Sequence, residues 1–470
     1  MAIAVLDIGK TNAKAILLDE AGAVLAQRSR PSAGLKGPPY PQLDLDGVWA
    51  WAQGALAELA AMAPVRCVVP VAHGAAGVLM AGDRPALPAL DYEHDGPDAV
   101  ADELAGLLDP FALTASPVLP LGLNVGAQLL WQQRTFPDAF ARASDLLMLP
   151  QYWAWRLSGV KAGEVTALGA HTHLWRPGER RLSGLVERCG WTRLLPPRRR
   201  AWEPLGPVTP ELAAATGLPR DCLVLTGIHD SNASWLPHIV AREPPFTVLS
   251  TGTWVIAMAA GAALDRLDPA ADMLANVDAH GDPVPGARFM GGRELELVAG
   301  AAGARAAATP EDVAAVIAGG CMALPAFVPA SGPFLGRQGA ILGDPGPEPG
   351  HRAALGALYA ALMVDVMLDK LGVGGPVVIE GSFHRNAAFC GLLAALRGDQ
   401  PVHATDDPSG TTRGAWLLAR WNERPSWPHA LPPATEPWRI EGLAAYRSGW
   451  HDLSRRPAPD LIARSSEPMG

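Results

Sequence analysis

Two similar strand–turn–strand patterns, about 240 residues apart, constrain the fold of this chain most strongly. In the first, apolar runs at residues 2–6 and 15–18 flank a turn that contains Gly9, and a third apolar run follows. In the second, runs at residues 246–249 and 254–258 flank a Ser-Thr-Gly-Thr turn. This order predicts that each glycine turn leads into a second strand and not into a helix. Two copies of one such unit indicate an internally duplicated fold with two lobes.

The first turn runs from Asp7 to Lys14 and carries several groups that bind phosphate. Backbone N–H groups, the Thr11 hydroxyl, the Asn12 amide and the Lys14 ammonium can donate hydrogen bonds to phosphate oxygens. Asp7, at the strand end, can hold a hydrated Mg²⁺ beside them. Neither the GxGxxG nor the GxxxxGK(S/T) spacing is present, which argues against a dinucleotide-binding fold and a P-loop. An ordinary hairpin is the alternative, but Asp, Gly, Thr and Lys within eight residues favour phosphate binding.

The pattern Asp7-x-Gly9-x-Thr11-Asn12-x-Lys14 resembles the first phosphate motif of the actin-like ATPase fold, specifically that of the FGGY carbohydrate kinases. Most of those kinases carry a second Thr or Ser at the position of Lys10. The Gly-Lys-Thr-Asn version resembles a rhamnulokinase-like subgroup. The resemblance implies that the first turn contacts nucleotide phosphates through Gly9, Lys10, Thr11, Asn12 and Lys14, and that Asp7 organises Mg²⁺.

A second acidic residue, Asp230, stands in a glycine-flanked turn that follows the strand-like residues 222–226 and opens a helix. Transfer of a phosphoryl group to a sugar hydroxyl requires a carboxylate that orients and deprotonates that hydroxyl. In the FGGY kinases a Gly-x-x-Asp segment supplies this base, and Gly227-x-x-Asp230 is similar to it in form and position. The resemblance implies that Asp230 is the general base and that it shares Mg²⁺ with Asp7. The alternative is that Asp230 only caps the helix.

Two later segments resemble the remaining nucleotide motifs of the family. The turn that contains Thr251, Gly252 and Thr253 is similar to the second phosphate motif. The segment from Glu380 to Asn386 resembles the adenosine motif, in which the family commonly has two or three glycines. This chain has Gly381 alone there, and Glu380 stands in the usual place of a glycine. The resemblance therefore implies nucleotide contacts from Gly381 and Asn386.

Four polar residues are candidates for contact with the sugar. His73 ends a strand where related kinases place a residue that bonds sugar hydroxyls. Asn124 and Gln128 lie one helical turn apart, so the two side chains can point into the same cleft, and Gln128 is the preferred contact. His229 neighbours the base and is a candidate for another hydroxyl. For each histidine, a purely structural role is the alternative.

Two other classes of function compete with a kinase. His171 and His173, two apart on a predicted strand, would face one side of it, and with His229 and Asp230 they could form the zinc site of a metallohydrolase. That interpretation leaves both phosphate turns unexplained. A kinase-shaped protein without catalysis, such as a sugar sensor, is the other alternative. The presence of Asp7, Thr11, Asp230 and Thr251 argues against it.

Local patterns predict the main helices and strands. Helical spacing of apolar residues predicts helices over residues 46–62, 98–108, 126–136 and 150–157, the first with Asp46 as N-cap. Buried strands are predicted at 65–71, 146–149 and 377–379, and further helices at 355–371 and 386–396. Residues 176–220 are rich in Pro, Arg and Gly, which predicts a loop-rich segment with short helices.

The chain of 470 residues suits two domains of about 200 residues each. We expect an α/β fold with two actin-like (ribonuclease H-like) lobes and a nucleotide/sugar cleft, as the resemblance implies over about residues 1–435. The predicted domains are an N-terminal lobe at residues 1–243, a C-terminal lobe at 244–435 and a peripheral tail at 436–470.

Composition limits the partners and the compartment. The net charge is −9, and the one arginine run, Arg198–Arg200, lies in a predicted loop, so a nucleic-acid partner is not expected. Five scattered cysteines without a CxxC pair suit buried free thiols in a reducing compartment. No signal-peptide pattern and no apolar stretch of about 18 residues is evident. We therefore expect a cytoplasmic monomer or homodimer that binds a small-molecule sugar and no membrane.

The expected activity is ATP-dependent phosphorylation of a small sugar, with ATP and Mg²⁺ as cofactors. The rhamnulokinase-like motif favours a ketose such as L-rhamnulose or L-fuculose.

Overall fold

The computed structural model describes residues 2–406, 410–423 and 431–456. The strands are β1 (Ala2–Ile8), β2 (Asn12–Leu18), β3 (Val24–Pro31), β4 (Val65–Ala72), β5 (Gly77–Ala81), β6 (Arg84–Pro85), β7 (Asp145–Met148), β8 (Trp175–Arg176), β9 (Arg181–Leu182), β10 (Pro204–Pro207), β11 (Leu223–Leu225), β12 (Ile228–His229), β13 (Phe246–Thr251), β14 (Val255–Ala260), β15 (Met273–Val277), β16 (Pro283–Phe289), β17 (Met322–Leu324), β18 (Ala340–Leu342), β19 (Val377–Gly381) and β20 (Val402–Ala404).

The helices are α1 (Leu45–Met62), α2 (Ala101–Leu107), α3 (Phe111–Thr114), α4 (Val125–Thr135), α5 (Pro137–Ala141), α6 (Leu149–Ser158), α7 (Val165–Leu168), α8 (Gly184–Arg188), α9 (Pro210–Thr216), α10 (Asp230–Ala241), α11 (Gly291–Gly303), α12 (Pro310–Ala318), α13 (Pro349–Leu371), α14 (Ala387–Leu396), α15 (Gly410–Ala419) and α16 (Leu443–Ser454). Short 3₁₀ helices occur at Gly96–Val100, Pro177–Glu179, Trp191–Leu194, Leu264–Arg266, Pro269–Ala271, Ser382–Arg385 and Trp421–Glu423.

The chain folds into two compact units, and neither is continuous in sequence. The first unit comprises Met1–Ala241, Ala275–Pro283 and Ser409–His429. The second comprises Arg242–Leu274, Val284–Pro408 and Ala430–Gly470. The main segment of the first unit ends at residue 241, whereas the predicted N-terminal lobe ends at residue 243. The predicted domain ranges do not include the two short segments that belong to the first unit, because their grouping depends on contacts distant in sequence.

The first unit is built on a seven-stranded sheet in the order β10-β11-β4-β1-β2-β3, with β12 also paired to β4. β1, β2 and β3 form an antiparallel meander, and β4 adds parallel to β1. Alternate residues of β1 enter two different hydrophobic clusters: Leu6 and Ile8 pack on one side, and Ile3 and Val5 on the other. Helices therefore cover both faces of this sheet, which explains why β1 is almost uniformly apolar.

The second unit repeats the same strand order around a six-stranded sheet, β15-β16-β14-β13-β19-β20. β13, β14 and β16 form the antiparallel meander, and β19 and β20 add parallel beside β13. Each unit thus places its glycine turn between the first two strands of a meander, next to a parallel strand. The internal duplication predicted from the two turns is present in the strand order.

Most predicted elements form, with differences at their boundaries. Helix α1 begins at Leu45, and its N-cap is Asp44, whose side chain accepts a hydrogen bond from the Gly47 N–H group at 2.9 Å. The prediction of Asp46 as N-cap was wrong, because that residue already lies in the first helical turn, where its charge still suits the helix dipole. Residues 98–108 are divided between a 3₁₀ turn and α2, since Pro97 favours a tight first turn.

The predicted tail at 436–470 is not peripheral over the described residues 443–454. These residues form α16, in which Trp450 is fully buried and donates a hydrogen bond to the Ala323 carbonyl at 2.6 Å. Leu443, Tyr446 and Trp450 form an apolar stripe at helical spacing, which the prediction of a peripheral tail did not take into account. Residues 457–470 lie outside the described part of the chain.

Across the described ranges, we find no helix that combines the length and the apolar character needed to span a membrane. The five cysteines are free thiols, in agreement with the sequence pattern.

Candidate active site

Three parallel strands of the first unit bring the predicted catalytic residues to one edge of the sheet. Asp7 on β1 and Ile228 on β12 both pair with Val71 of β4, from opposite sides. His73 follows the end of β4, and Asp230 follows the end of β12. Because the carboxyl ends of parallel strands meet at the same edge, these side chains form one cluster although they are far apart in sequence.

The two carboxyl groups of this cluster influence each other. Burial of the Asp7 carboxyl, and then the negative charge of Asp230, raise the pKa of Asp7 to about 7, while Lys14 lowers it. Two carboxylates that repel each other at a strand edge supply oxygen ligands of the kind that Mg²⁺ prefers. The donor set therefore fits the magnesium ion that the sequence predicts for Asp7 and Asp230.

The backbone before Asp230 is held in an unusual shape. Gly227 has a φ of +84°, and a Cβ atom there would lie 2.5 Å from the Pro70 carbonyl oxygen. The buried Gln151 side chain donates hydrogen bonds to the carbonyls of Thr226 and Gly227, at 3.2 and 3.4 Å. A glycine is required here because a side chain would collide with β4. This turn fixes the point at which α10 begins.

Asp230 is the first residue of α10, and its side chain is 32% exposed. Its Oδ1 atom accepts a hydrogen bond from the Ser231 N–H group at 2.6 Å and lies 3.3 Å from Nε2 of His229. The carboxylate therefore meets the helix start, as the capping alternative predicts, and is also accessible from solvent. The two roles are compatible because the described contacts all use the same oxygen atom.

Lys10 lies in a group of residues that the sequence did not connect with it. Its ammonium donates to Oδ1 of Asp91, lies 3.6 Å from a carboxylate oxygen of Glu93, and stands 4.6 Å above the ring centre of Tyr92. Tyr92 in turn packs edge-on against His73, with ring centres 5.8 Å apart. The predicted phosphate contact of Lys10 stays a prediction, and in this arrangement its charge is already balanced by two carboxylates.

His73 presents one free acceptor atom. Its Nδ1 lies 2.8 Å from the Gly74 carbonyl, which can only accept, so Nδ1 carries the proton and Nε2 is an acceptor. Burial lowers the pKa of His73, which favours this neutral form. The ring lines a small cavity together with Lys10, Asp44 and the apolar Leu149 and Trp153.

In the second unit, the hydroxyl of Thr251 ties two strands together. It donates to the Glu380 carbonyl and accepts a hydrogen bond from the Phe383 N–H group at 3.0 Å. Asn386 caps α14 by accepting from the Phe389 N–H group at 3.0 Å. Both predicted nucleotide contacts therefore have structural partners within their own unit, and these side chains shape the adenosine motif instead of pointing freely from it.

The rest of the second turn is more open. The Gly252 N–H group closes it by donating to the Trp254 carbonyl at 2.8 Å, and the side chain of Thr253 is exposed. In the first turn, the Gly9 N–H group donates to the Asn12 carbonyl at 3.0 Å, and Thr11 and Asn12 are exposed. In both turns the glycine N–H group is bonded within the turn, to the carbonyl three residues on from Gly9 and two residues on from Gly252, and each turn leaves a hydroxyl at its tip.

Comparison with known proteins agrees with this geometry. Residues 243–426 match the family described as "Carbohydrate kinase FGGY, C-terminal domain". The crystal structure of a carbohydrate kinase from Novosphingobium aromaticivorans is 38% identical, with a TM-score of 0.89, over 96% of this chain and 98% of that chain. This chain belongs to the FGGY carbohydrate kinases. The L-fuculokinase of Salmonella typhi is 26% identical over 94% of this chain and 99% of its own length. The crystal structure of gluconate kinase from Lactobacillus acidophilus shares the fold, with a TM-score of 0.79 at 15% identity over 99% of both chains.

As an FGGY kinase, the protein is an ATP-dependent sugar phosphotransferase that uses Mg²⁺, and each unit carries the actin-like α/β fold. The zinc alternative was wrong. His171 and His173 have φ angles of 41° and 66° and do not lie on a strand. Their rings bond to the carbonyls of Leu123 and Pro117, respectively. In the described residues, the one set of three or more His, Cys, Asp or Glu side chains close enough to share a metal ion is Asp365, Asp369 and His451, where arginines already pair with the carboxylates.

The predicted sugar contacts Asn124 and Gln128 instead hold the backbone of this FGGY kinase together. Gln128 is buried and donates to the carbonyls of Ala75 and Gly122, at 2.7 and 2.5 Å. Asn124 is fully buried and bonds to the backbone of Leu119, Pro117 and His171. Asn124 is the N-cap residue of α4 and Gln128 lies in its first turn, so the two are one turn apart as predicted, but both side chains bond to the backbone of buried loops. The buried backbone roles of Asn124 and Gln128 follow from where the neighbouring loops lie in the folded chain, which the sequence does not show.

We expect Gln128→Met to reduce stability and to leave sugar affinity unchanged. The substitution keeps the volume but leaves two buried carbonyls without donors, at a cost of about 2–3 kcal/mol. Urea unfolding should show a lower midpoint, while the KM for sugar changes less than about twofold. A tenfold rise in KM at unchanged stability would instead make Gln128 a substrate ligand.

Two groups near the site were missed from the sequence. One is Lys10 with Asp91 and Tyr92; the run Asp-Tyr-Glu-His-Asp at residues 91–95 is a concentrated acidic signal that could have pointed to a cation partner. The other is Glu164, which is fully buried behind β12 and N-caps α7. Burial raises the pKa of Glu164 to about 7. No local pattern marks it, because its burial depends on packing of distant segments.

Proposed function

We propose that this kinase phosphorylates a hydroxyl of a small ketose, and specifically of a 6-deoxyketose such as L-fuculose or L-rhamnulose. The observation that carries the proposal is the small cavity beside His73, of about 20 Å³, whose lining includes both polar and apolar residues and which has room for one end of a sugar. Similarity to an L-fuculokinase supports the same substrate class.

The cavity has the chemical character that a deoxysugar requires. Its polar lining includes Lys10, Ser32, Asp44 and His73. Its apolar lining includes Ile8, Leu43, Leu45, Val48, Leu149 and Trp153. The acceptor atom of His73 suits a sugar hydroxyl, and the apolar residues suit a methyl group. A hydroxyl placed against those apolar residues would lose hydrogen bonds to water without gaining a partner.

In the proposed reaction, Asp230 accepts the proton of the reacting hydroxyl. The sugar O–H bond breaks, the oxygen attacks the γ-phosphorus of ATP, and the bond from that phosphorus to the bridging oxygen of ADP breaks. ADP leaves, and the proton remains on the Asp230 carboxyl until it exchanges with water. Asp7 and Asp230 would hold Mg²⁺, which supplies charge neutralisation of the transferring phosphoryl group. Because the described contacts of the Asp230 side chain all use Oδ1, the other oxygen, Oδ2, suits the role of base.

The nucleotide contacts form part of the proposal. Thr11 and Thr253 present exposed hydroxyls, and Lys14 lies near the Asp7 carboxyl. In the first unit, Asn12 would add a contact to the phosphates, and in the second unit Gly381 would lie under the nucleoside. The N–H groups of Gly9 and Gly252 are bonded within their own turns, so these glycines would act by shaping the turns. A cytoplasmic location, where ATP and phosphorylated sugars are retained, belongs to the same proposal.

A coupled ADP-release assay on matched sugar pairs tests the substrate class. L-Fuculose is compared with L-tagatose, and L-rhamnulose with L-fructose, because the members of each pair differ only by the hydroxyl at C6. We expect the 6-deoxyketose of at least one pair to have a kcat/KM about 10- to 100-fold higher, since desolvating an unpaired hydroxyl costs about 1–3 kcal/mol. Aldoses and polyols serve as further controls. Equal values within both pairs, or activity only on polyols, would contradict the proposal.

A further inference from the structure

The ring of His229 is enclosed beside the carboxylate of Asp230, although both residues were candidates for sugar contact. His229 is 4% exposed, and its Nε2 atom lies 3.3 Å from Oδ1 of Asp230. A Cβ atom on Gly74 would lie only 2.6 Å from the same Nε2 atom. The backbone of Gly74 therefore covers this nitrogen, and a sugar hydroxyl has little room to reach it.

The surroundings of His229 define which nitrogen carries the proton. The carboxylate of Asp230 can only accept, so its negative charge 3.3 Å from Nε2 favours the tautomer with the proton on that nitrogen. The Nδ1 atom is then an acceptor, and the side-chain amide of Asn232 lies 3.2 Å away with its Nδ2 atom toward it. The opposite tautomer would direct a lone pair at the carboxylate and leave the Asn232 amide opposite an N–H group. Asn232 and Asp230 therefore select the same tautomer.

The backbone of His229 is held from behind by a second buried chain of hydrogen bonds. Its N–H group donates to the hydroxyl of Thr166 at 3.1 Å, and that hydroxyl donates to Oε2 of Glu164 at 2.5 Å. The same Glu164 oxygen accepts from the N–H groups of Thr166 and Ala167, at 2.9 and 3.3 Å. Side chain and backbone of His229 are thus both fixed, which is the requirement for a residue that orients a neighbour.

We infer that His229 is a positioning residue for Asp230 and not a sugar ligand, and that Asn232 fixes the tautomer in which it acts. By engaging Oδ1, His229 turns Oδ2 of Asp230 toward the reacting hydroxyl. This inference rests on the proposed function, in which Asp230 is the base. It assigns His229, the last residue of β12, and Asn232, in the first turn of α10, to the orientation of Asp230.

Steady-state kinetics of three variants, with sugar and ATP varied separately, test the inference. His229→Leu removes the donor and should lower kcat about 10- to 100-fold, while both KM values change less than about twofold. His229→Gln places an amide N–H group near the former Nε2 position and should restore kcat to within about fivefold of the wild type. Asn232→Leu should lower kcat about threefold to tenfold without contacting any substrate. His280→Leu, at an exposed histidine of the same unit, should leave kcat unchanged.

Several outcomes would overturn the inference. A raised KM for sugar at unchanged kcat in His229→Leu would make His229 a sugar ligand. Failure of His229→Gln to restore kcat, in a variant whose thermal unfolding and ATP affinity match the wild type, would also exclude positioning through a donor. If His229→Leu does not fold, the kcat and KM values of His229→Gln and Asn232→Leu still test the inference. If Asp230→Asn is active, Asp230 is not the base and the proposed function itself is contradicted. If Asp230→Asn is inactive and His229→Leu is fully active, Asp230 remains the base and only the positioning role of His229 is contradicted.

Discussion

Asp230→Asn is expected to lower kcat by about 10³-fold or more while ATP binds with nearly unchanged affinity. The variant is isosteric, and its side-chain oxygen can still accept the Ser231 N–H group, so the start of α10 should keep its shape. An amide cannot accept the proton of the sugar hydroxyl, and general-base catalysis contributes about 10²- to 10⁴-fold. The added loss reflects the poorer Mg²⁺ ligand that an amide provides. Coupled ADP release measures turnover, and calorimetric titration measures ATP binding.

The control is Asp138→Asn, which makes the same chemical change at an exposed position on α5. That variant should retain the wild-type kcat. Near-normal turnover in Asp230→Asn would exclude Asp230 as the base. Loss of ATP binding in parallel with turnover would instead indicate that the carboxylate acts chiefly through the nucleotide and its metal ion.

Gly381→Ala is expected to destabilise the second unit by about 3 kcal/mol or more and to weaken ATP binding at least tenfold. Gly381 has φ and ψ angles of 80° and −157°, a region of the backbone map that is essentially restricted to glycine. A Cβ atom there would lie 1.9 Å from the Thr251 carbonyl oxygen. Since β13 and β19 pair at this position, relief of the clash must separate the strands that carry the second phosphate turn and the adenosine motif. Thermal unfolding and ATP titration measure the two effects.

Gly374→Ala provides the matched control within the same unit. A Cβ atom at Gly374 meets no other heavy atom within 4 Å, so this substitution should change stability by less than about 0.5 kcal/mol. Gly381→Ala with the unfolding temperature and ATP affinity of the wild type would contradict the close approach of β13 and β19. Destabilisation of both variants to the same extent would show that the effect is not specific to this turn.

The sequence determined the elements that depend on neighbouring residues. Alternating and continuous apolar runs located β1, β2, β13 and β14, and the glycine turns between them identified the duplicated meander. The ends of two helices also depend on neighbouring residues. Gly159 and Gly372 both adopt the left-handed conformation and end α6 and α13 where the sequence predicts. Such features follow from side-chain volume, turn chemistry and periodicity, which a single segment carries by itself.

Only the tertiary structure decided which side chains meet. Gln128 and Thr251 have the residue type and spacing of ligands, yet their polar atoms bond to backbone groups of distant segments. Lys10 pairs with Asp91, and Asn232 reaches His229, through contacts that no local pattern encodes. A polar group forms its hydrogen bonds with whatever packing brings near it, because burial without a partner is costly. The sequence therefore specified the kinds of groups available, and the pairing of parallel strands determined which of them form the site.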